Sequence, residues 1–163
     1  MGPAIKREIP EATDYVRLVP TSNYWLMRYE DKVFKESDVF QTEGHIFDVF
    51  TFPLVQGHPK TSLKNPGSMV ISQQIAHKYF GNEDPIGKVI RADNTYDYTI
   101  TAVMYDAPPS SHIQPDFLVS FTPVFQHGET GKWEWWNFST YLLLETGAIP
   151  NTAAEKISTH WLL

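Results

Sequence analysis

The sequence predicts an α+β fold, and three features point to it. Strand-like segments fill the middle of the chain, one well-bounded helix interrupts them, and an apolar strand followed by a helix closes the sequence. Twelve prolines and an aromatic content of 14% add frequent turns and a β-rich body with large side chains in its core. With 163 residues, the chain is one domain, or two small subdomains sharing a core: 1–20 with 138–163, and 21–137.

Taken in order, the elements have these signals. Pro3 near the first helical position and Ile5 and Ile9 one turn apart predict a short helix over Ala4–Ile9, limited by Pro10. Tyr15–Pro20 reads as a strand carrying Val16, Leu18 and Val19. Between Val33 and Phe52 the apolar residues are dense and β-biased. Two strands, or a strand and a helical turn around His45–Phe50, fit equally. Pro53, Gly57, Pro59 and Pro66 make residues 53–67 mostly loop. Ser68–Ile71 is a short strand, and Ser72 is placed to cap a helix over Gln73–Phe80 whose stripe is Ile75, Ala76, Tyr79 and Phe80. Gly81 supplies its stop. Strands follow at Lys88–Ala92 and Tyr96–Tyr105, joined by an Asp93-Asn94 turn, and then at Phe117–Phe121. Gln126–Lys132 reads as a surface loop, Thr140–Glu145 as a strand, and Thr152–Trp161 as a helix opened by a Thr152/Glu155 capping box.

Composition narrows the function. The net charge of −6 excludes a global basic field for nucleic acid, and the absence of cysteine excludes disulfides, thiolate zinc sites and a cysteine nucleophile. No apolar run approaches the roughly 20 residues that span a bilayer. Met1-Gly2-Pro3 leads directly into charged sequence, which predicts no signal peptide at the start.

The motif search is mostly negative. Five residues separate Gly81 from Gly87, and Val89 follows Lys88, so the run lacks the spacing and the hydroxyl of a phosphate loop. It also follows a helix and enters a strand, the wrong order for phosphate at a helix N-terminus. Histidines at 45, 58, 77, 112, 127 and 160 show no metal-ligand spacing. His112, with Ser110, Ser111 and Asp116 nearby, is the most suggestive catalytic grouping. A polar loop bonded to its own backbone explains it better, because catalytic serines sit on tight elbows. Glu134 lies among Trp133, Trp135 and Trp136, where burial could raise a carboxyl pKa, but sequence places no second carboxylate beside it. The tryptophans themselves are the candidate interaction surface, for sugar rings or peptides, although packing near a subdomain junction is the favoured reading. No catalytic residue, cofactor or metal is expected.

From Ser68 onward the residues resemble a known family. Ser68-Met69-Val70-Ile71-Ser72, Ala76-His77-Lys78-Tyr79-Phe80-Gly81 and Asp84-Pro85-Ile86-Gly87-Lys88 are similar to the MacB-like periplasmic core domain of FtsX-type ABC transporter permeases. Phe47–Leu54, Tyr98–Val103, Pro109–His112 and Asp116–Phe121 extend the likeness over most of residues 9–145. Within it, Ala76, Tyr79, Phe80, Gly81, Asp84, Pro85, Gly87 and Lys88 form a structural signature rather than an active site: a buried helix face, its stop, and a tight turn into the next strand.

The resemblance implies a mixed sheet with flanking helices plus a β-rich central subdomain. It also implies an extracytoplasmic, periplasmic location in an inner-membrane protein, between the first two transmembrane helices of a permease. Implied partners are those helices, a separate cytoplasmic ATPase subunit, a second permease subunit and a periplasmic protein, but no nucleic acid. The implied role is non-enzymatic: coupling ATP-driven motion to export, lipoprotein release or cell-envelope signalling. The alternative is a free-standing periplasmic module that binds carbohydrate or peptide through Trp133–Trp136. The ends read as cut inside the family domain, leaving the strands at Tyr15–Pro20 and Thr140–Glu145 to pair with each other or remain as edges.

Overall fold

A computed structural model of the protein describes residues 9–21, 23–121 and 139–161. The Ala4–Ile9 helix, the Gln126–Lys132 loop and the tryptophan segment lie outside the described residues, except for Ile9 itself. In chain order the described elements are β1 (Ala12–Pro20), β2 (Trp25–Tyr29), β3 (Lys32–Glu36), β4 (Val39–Thr42), α1 (Ile46–Val49), β5 (Leu54–Gln56), β6 (Ser68–Ser72), α2 (Gln73–Phe80), β7 (Val89–Ala92), β8 (Tyr96–Met104), β9 (Phe117–Ser120), β10 (Ser139–Leu144) and α3 (Pro150–Trp161). The strands join one mixed sheet in the order β10-β1-β4-β9-β6-β8-β7-β2-β3, with β5 beside β8. β4 runs parallel to β9 and β6 parallel to β8; the other pairings are antiparallel.

The two readings of Val33–Phe52 are both realised, as two strands and then a single helical turn. Two strands carry no local sequence signal. β2 follows no alternation and buries only Met27, and its two-residue turn into β3 is Glu30-Asp31, without the Gly or Asn that marks a hairpin. β5 is a three-residue strand inside the proline-rich stretch, held by Leu54 and Gln56 against β8. α3 begins at Pro150, so Thr152 is already inside the first turn, its N–H donating to Ile149 O at 3.1 Å. The capping box is therefore not formed. Proline at the first helical position starts the helix two residues earlier.

Alternation along the central strands divides the core in two. Met69, Ile71, Phe117 and Val119 face α2, which seats Ile75, Tyr79 and Phe80 on them. Val70 and Leu118 point to the opposite face, toward Ile46 of α1 and Leu63 of the following loop. β8 changes sides midway. Its pairing with β6 steps from Met69↔Ile100 to Val70↔Ala102, leaving Thr101 as an extra residue. Tyr98 and Ile100 consequently join the α2 side, and Ala102 and Met104 the α1 side. At the break the Thr101 hydroxyl lies between two carbonyl acceptors, Ser62 O and, at 3.0 Å, Met69 O.

β1 and β10 pair antiparallel from Ala12↔Leu144 to Leu18↔Ser139, with Thr13 as an extra residue where the register shifts between Ala12 and Asp14, and β10 is the outer strand. Only Leu18–Pro20 continue onto β4. The lower part of this ribbon carries α3 on a separate small cluster of Ile9, Ala12 and Ala153.

Candidate functional site

The signature residues do what a helix stop and a turn require. Ser72 caps α2, its hydroxyl accepting from Ile75 N at 3.3 Å. Tyr79 and Phe80 are buried and Ala76 partly so. Gly81 closes the helix with its N–H on His77 O at 2.9 Å, at φ 63° and ψ −113°, a geometry that a Cβ would strain. Asp84 Oδ1 accepts from Ile86 N at 3.0 Å, Pro85 is buried, and Lys88 N returns to Pro85 O at 3.1 Å around Gly87 at φ 80°. Lys88 pairs with Glu83 and lies over the Phe80 ring, 5.1 Å from its centroid. Its ammonium is thus committed to the turn.

A buried ionic group locks this region. Glu36, 6% exposed, accepts from Lys78 Nζ at 2.8 and 3.0 Å and from Tyr79 Oη at 2.7 Å. The three side chains tie β3 to α2, and both Glu36 oxygens and the Tyr79 hydroxyl have partners within the group. Burial, then the Glu36 carboxylate, pushes the Tyr79 phenol far above its ordinary pKa.

The Ser110–Asp116 grouping does not assemble as a catalytic relay. Ser111 Oγ donates to Ile113 O at 2.7 Å, a local turn bond, and Asp116 Oδ1 accepts from Ser72 Oγ at 2.9 Å and from Gln74 Nε2 at 2.5 Å. His112 lies against Tyr141, with ring centroids 5.8 Å apart. Other histidines are separated: His45 Nε2 is 2.6 Å from Tyr15 O, His58 Nδ1 accepts from Lys60 N at 3.2 Å, and His77 is on the exposed face of α2. Among the described residues no group of three or more His, Asp or Glu could hold a metal ion. Trp133, Glu134, Trp135 and Trp136 lie outside the described residues.

One surface feature escaped the sequence reading. Phe50, Phe52 and Pro53 form one wall, and Tyr105, Pro108 and His112 the other, of an apolar groove of about 250 Å³. Tyr105 N donates to Pro53 O at 3.0 Å and pins the walls together. Phe50 stacks on Phe52 and meets Tyr141 edge-on, at centroid distances of 5.5 and 4.9 Å. A second cleft of about 250 Å³, lined by Asp38, Asp106 and Asp116, adjoins the groove through the shared Asp106 and Ala107. The signal was present as two segments mixing aromatics with prolines, Phe50-Thr51-Phe52-Pro53 and Tyr105–Pro109, but nothing local says that they meet.

The comparisons with known proteins now decide the family. The model of the MacB-like periplasmic core domain matches residues 2–160. The chain belongs to this family. As a member of that family, the MacB-like domain is a periplasmic core domain. A domain of a permease protein from Porphyromonas gingivalis is similar at 26% identity and a TM-score of 0.81, over 98% of this chain and 67% of that one. Two further structures share the fold. The periplasmic region of MacB from Actinobacillus actinomycetemcomitans aligns at 14% identity and TM-score 0.68, over 98% and 72% of the two chains. The extracellular domain of the noncanonic ABC-type transporter YknZ from Gram-positive bacteria aligns at 16% and 0.68, over 96% and 80%. No curated protein matches the chain. No described helix is long and apolar enough to cross a membrane.

Proposed function

We propose that this MacB-like domain is the non-enzymatic extracytoplasmic part of an ABC permease, and that it couples ATP-driven motion to export, lipoprotein release or cell-envelope signalling. Its partners in that role are the transmembrane helices of the permease, a separate cytoplasmic ATPase, a second permease subunit and a periplasmic protein. The family match over residues 2–160 carries the reading. Geometry supports it. The chain enters the sheet at β1 and leaves it at β10 side by side, with Glu145 N donating to Glu11 O at 2.9 Å. Motion of the segments flanking the domain would reach the sheet through this one ribbon, and a sheet packed on both faces turns as a unit.

The test is a pair of distance measurements in the assembled transporter. A spin label at exposed Lys64 in each permease subunit is expected to give different distance distributions without nucleotide and with ATP bound. An unchanged distribution in a transporter that still hydrolyses ATP overturns the coupling role. The isolated domain is expected to turn over no ester, peptide, glycoside or ATP; turnover that His112→Ala or Lys88→Ala abolishes would overturn the non-enzymatic part.

A further inference from the structure

The apolar groove and the acidic cleft beside it have no role in the fold's signature or in the coupling reading. Several features make them one surface. The groove walls are phenyl, proline and tyrosine faces, the chemistry found at the centres of protein interfaces. Tyr105 stays 53% exposed although its backbone is pinned to Pro53, so an aromatic side chain stands at the rim on a fixed backbone. In the cleft, Asp106 Oδ1 accepts from Gln74 N at 2.9 Å, Asp116 Oδ1 from Ser72 and Gln74, and Asp38 Oδ2 from Ser37 Oγ at 3.1 Å. Each carboxylate thus uses one oxygen to hold its place. No lysine, arginine or histidine lines the cleft, and none of the three aspartates makes an ion pair among the described residues.

The geometry points to a docking site for a protein segment that presents an aromatic or aliphatic side chain next to a lysine or arginine. The apolar side chain fills the groove between Phe52 and Tyr105, and the cation lies over Asp106 toward Asp38 and Asp116. Charge complementarity selects this occupant. Three unpaired carboxylates beside the groove repel an anionic lipid headgroup, and they attract a basic residue most strongly where the apolar neighbour excludes water. This inference goes beyond the coupling role and does not depend on it.

The experiment is an NMR titration of the ¹⁵N-labelled domain with the probe peptide acetyl-Gly-Phe-Arg-Gly-amide. Two control peptides carry Glu for Arg or Ala for Phe. Saturable shifts are expected at Thr51, Tyr105, Asp106 and His112. Either control should bind about tenfold more weakly, as should the exposed-site variant Tyr105→Ala. Asp106→Asn keeps the acceptor for Gln74 N; it should weaken binding about threefold and flatten its salt dependence. Unchanged spectra elsewhere in both variants show that they remain folded. Shifts that never saturate, that map outside the groove, or that ignore the Arg-to-Glu change overturn the proposal. So does a stronger response to vesicles of anionic phospholipid than to the peptide. The spin-label result in the assembled transporter is read separately, so either idea can fail alone.

Discussion

Around β6 and β9, Met69, Val70, Ile71, Phe117, Leu118 and Val119 are all wholly buried, because elements lie over both faces of the sheet. The β1–β10 ribbon with α3 is built differently. Its own cluster buries Ile9, Ala12 and Ala153, and Leu143 and Ile149 remain exposed. Its bonds join residues far apart in sequence, as when Thr13 Oγ1 donates to Leu143 O across 130 positions. The difference teaches where the molecule is stiff. A sheet buried on both faces opens only with the whole domain, whereas the lower end of the ribbon, covered by one helix over a small cluster, opens locally at lower cost; its upper end is held in the core by Val16 and Leu18. In the coupling role we propose, motion received through the ribbon would be carried by the rigid sheet.

The largest expected effect is in the sheet. Phe117→Ala removes a wholly buried ring between α2 and β6 and should cost about 3–5 kcal/mol, read as a fall in the global melting midpoint. Ala153→Asp puts a charge into the ribbon cluster and should act locally. Hydrogen exchange of α3 amides should accelerate while those of β6 and β9 stay protected. Equal loss of protection in both regions would break the comparison.

Acidity and alkalinity should separate the regions too. Burial pushes the Tyr98 phenol from its ordinary 10.0 up to about 12, and the Tyr79 phenol moves in the same direction. A phenol that holds its proton more tightly when folded stabilises the protein fully below pH 10, and that stability is lost as pH rises through about 12. The Tyr98 hydroxyl is buried without a hydrogen-bond partner among the described residues. Tyr98→Phe should therefore leave stability at pH 7 unchanged or raise it by up to about 1 kcal/mol, and should soften the alkaline loss; denaturant melts against pH read both. In the ribbon, the hydrogen bond from Lys156 holds the Glu11 carboxyl below its ordinary 4.5. That contribution is present above pH 4.5 and is lost as pH falls through the lower folded value, so α3 protection should weaken on the acid side. The smallest effect is Lys156→Ala. It should move the melting midpoint by at most about 2 °C, since a single ion pair between partly exposed side chains contributes little, yet remove the acid-side change in α3.

Elements defined by neighbours in sequence were readable. The Ser72 cap, the Gln73–Phe80 helix, its Gly81 stop and the Asp93-Asn94 turn use side chains and backbone within a few residues, and each stands where the sequence places it. The signature from Ala76 to Lys88 was legible for the same reason, and so was the family. β2 and β5 were not, since each is a strand chiefly because a neighbour offers backbone to pair with. The groove was half legible, as aromatic and proline pairs whose meeting no local rule announces.

Sequence by itself determined the α+β class, the central helix and its boundaries, and the segments that mark the family, because caps, turns and alternation act over a few bonds. Tertiary structure alone decided the strand order, the extra Thr101 that turns β8 from one face of the core to the other, the joining of residues 12–18 to 139–144, and the contact of Pro53 with Tyr105. Those outcomes depend on which backbone edges and apolar faces find each other across the chain. Many pairings satisfy the same local preferences, and only the packing of the whole core selects among them.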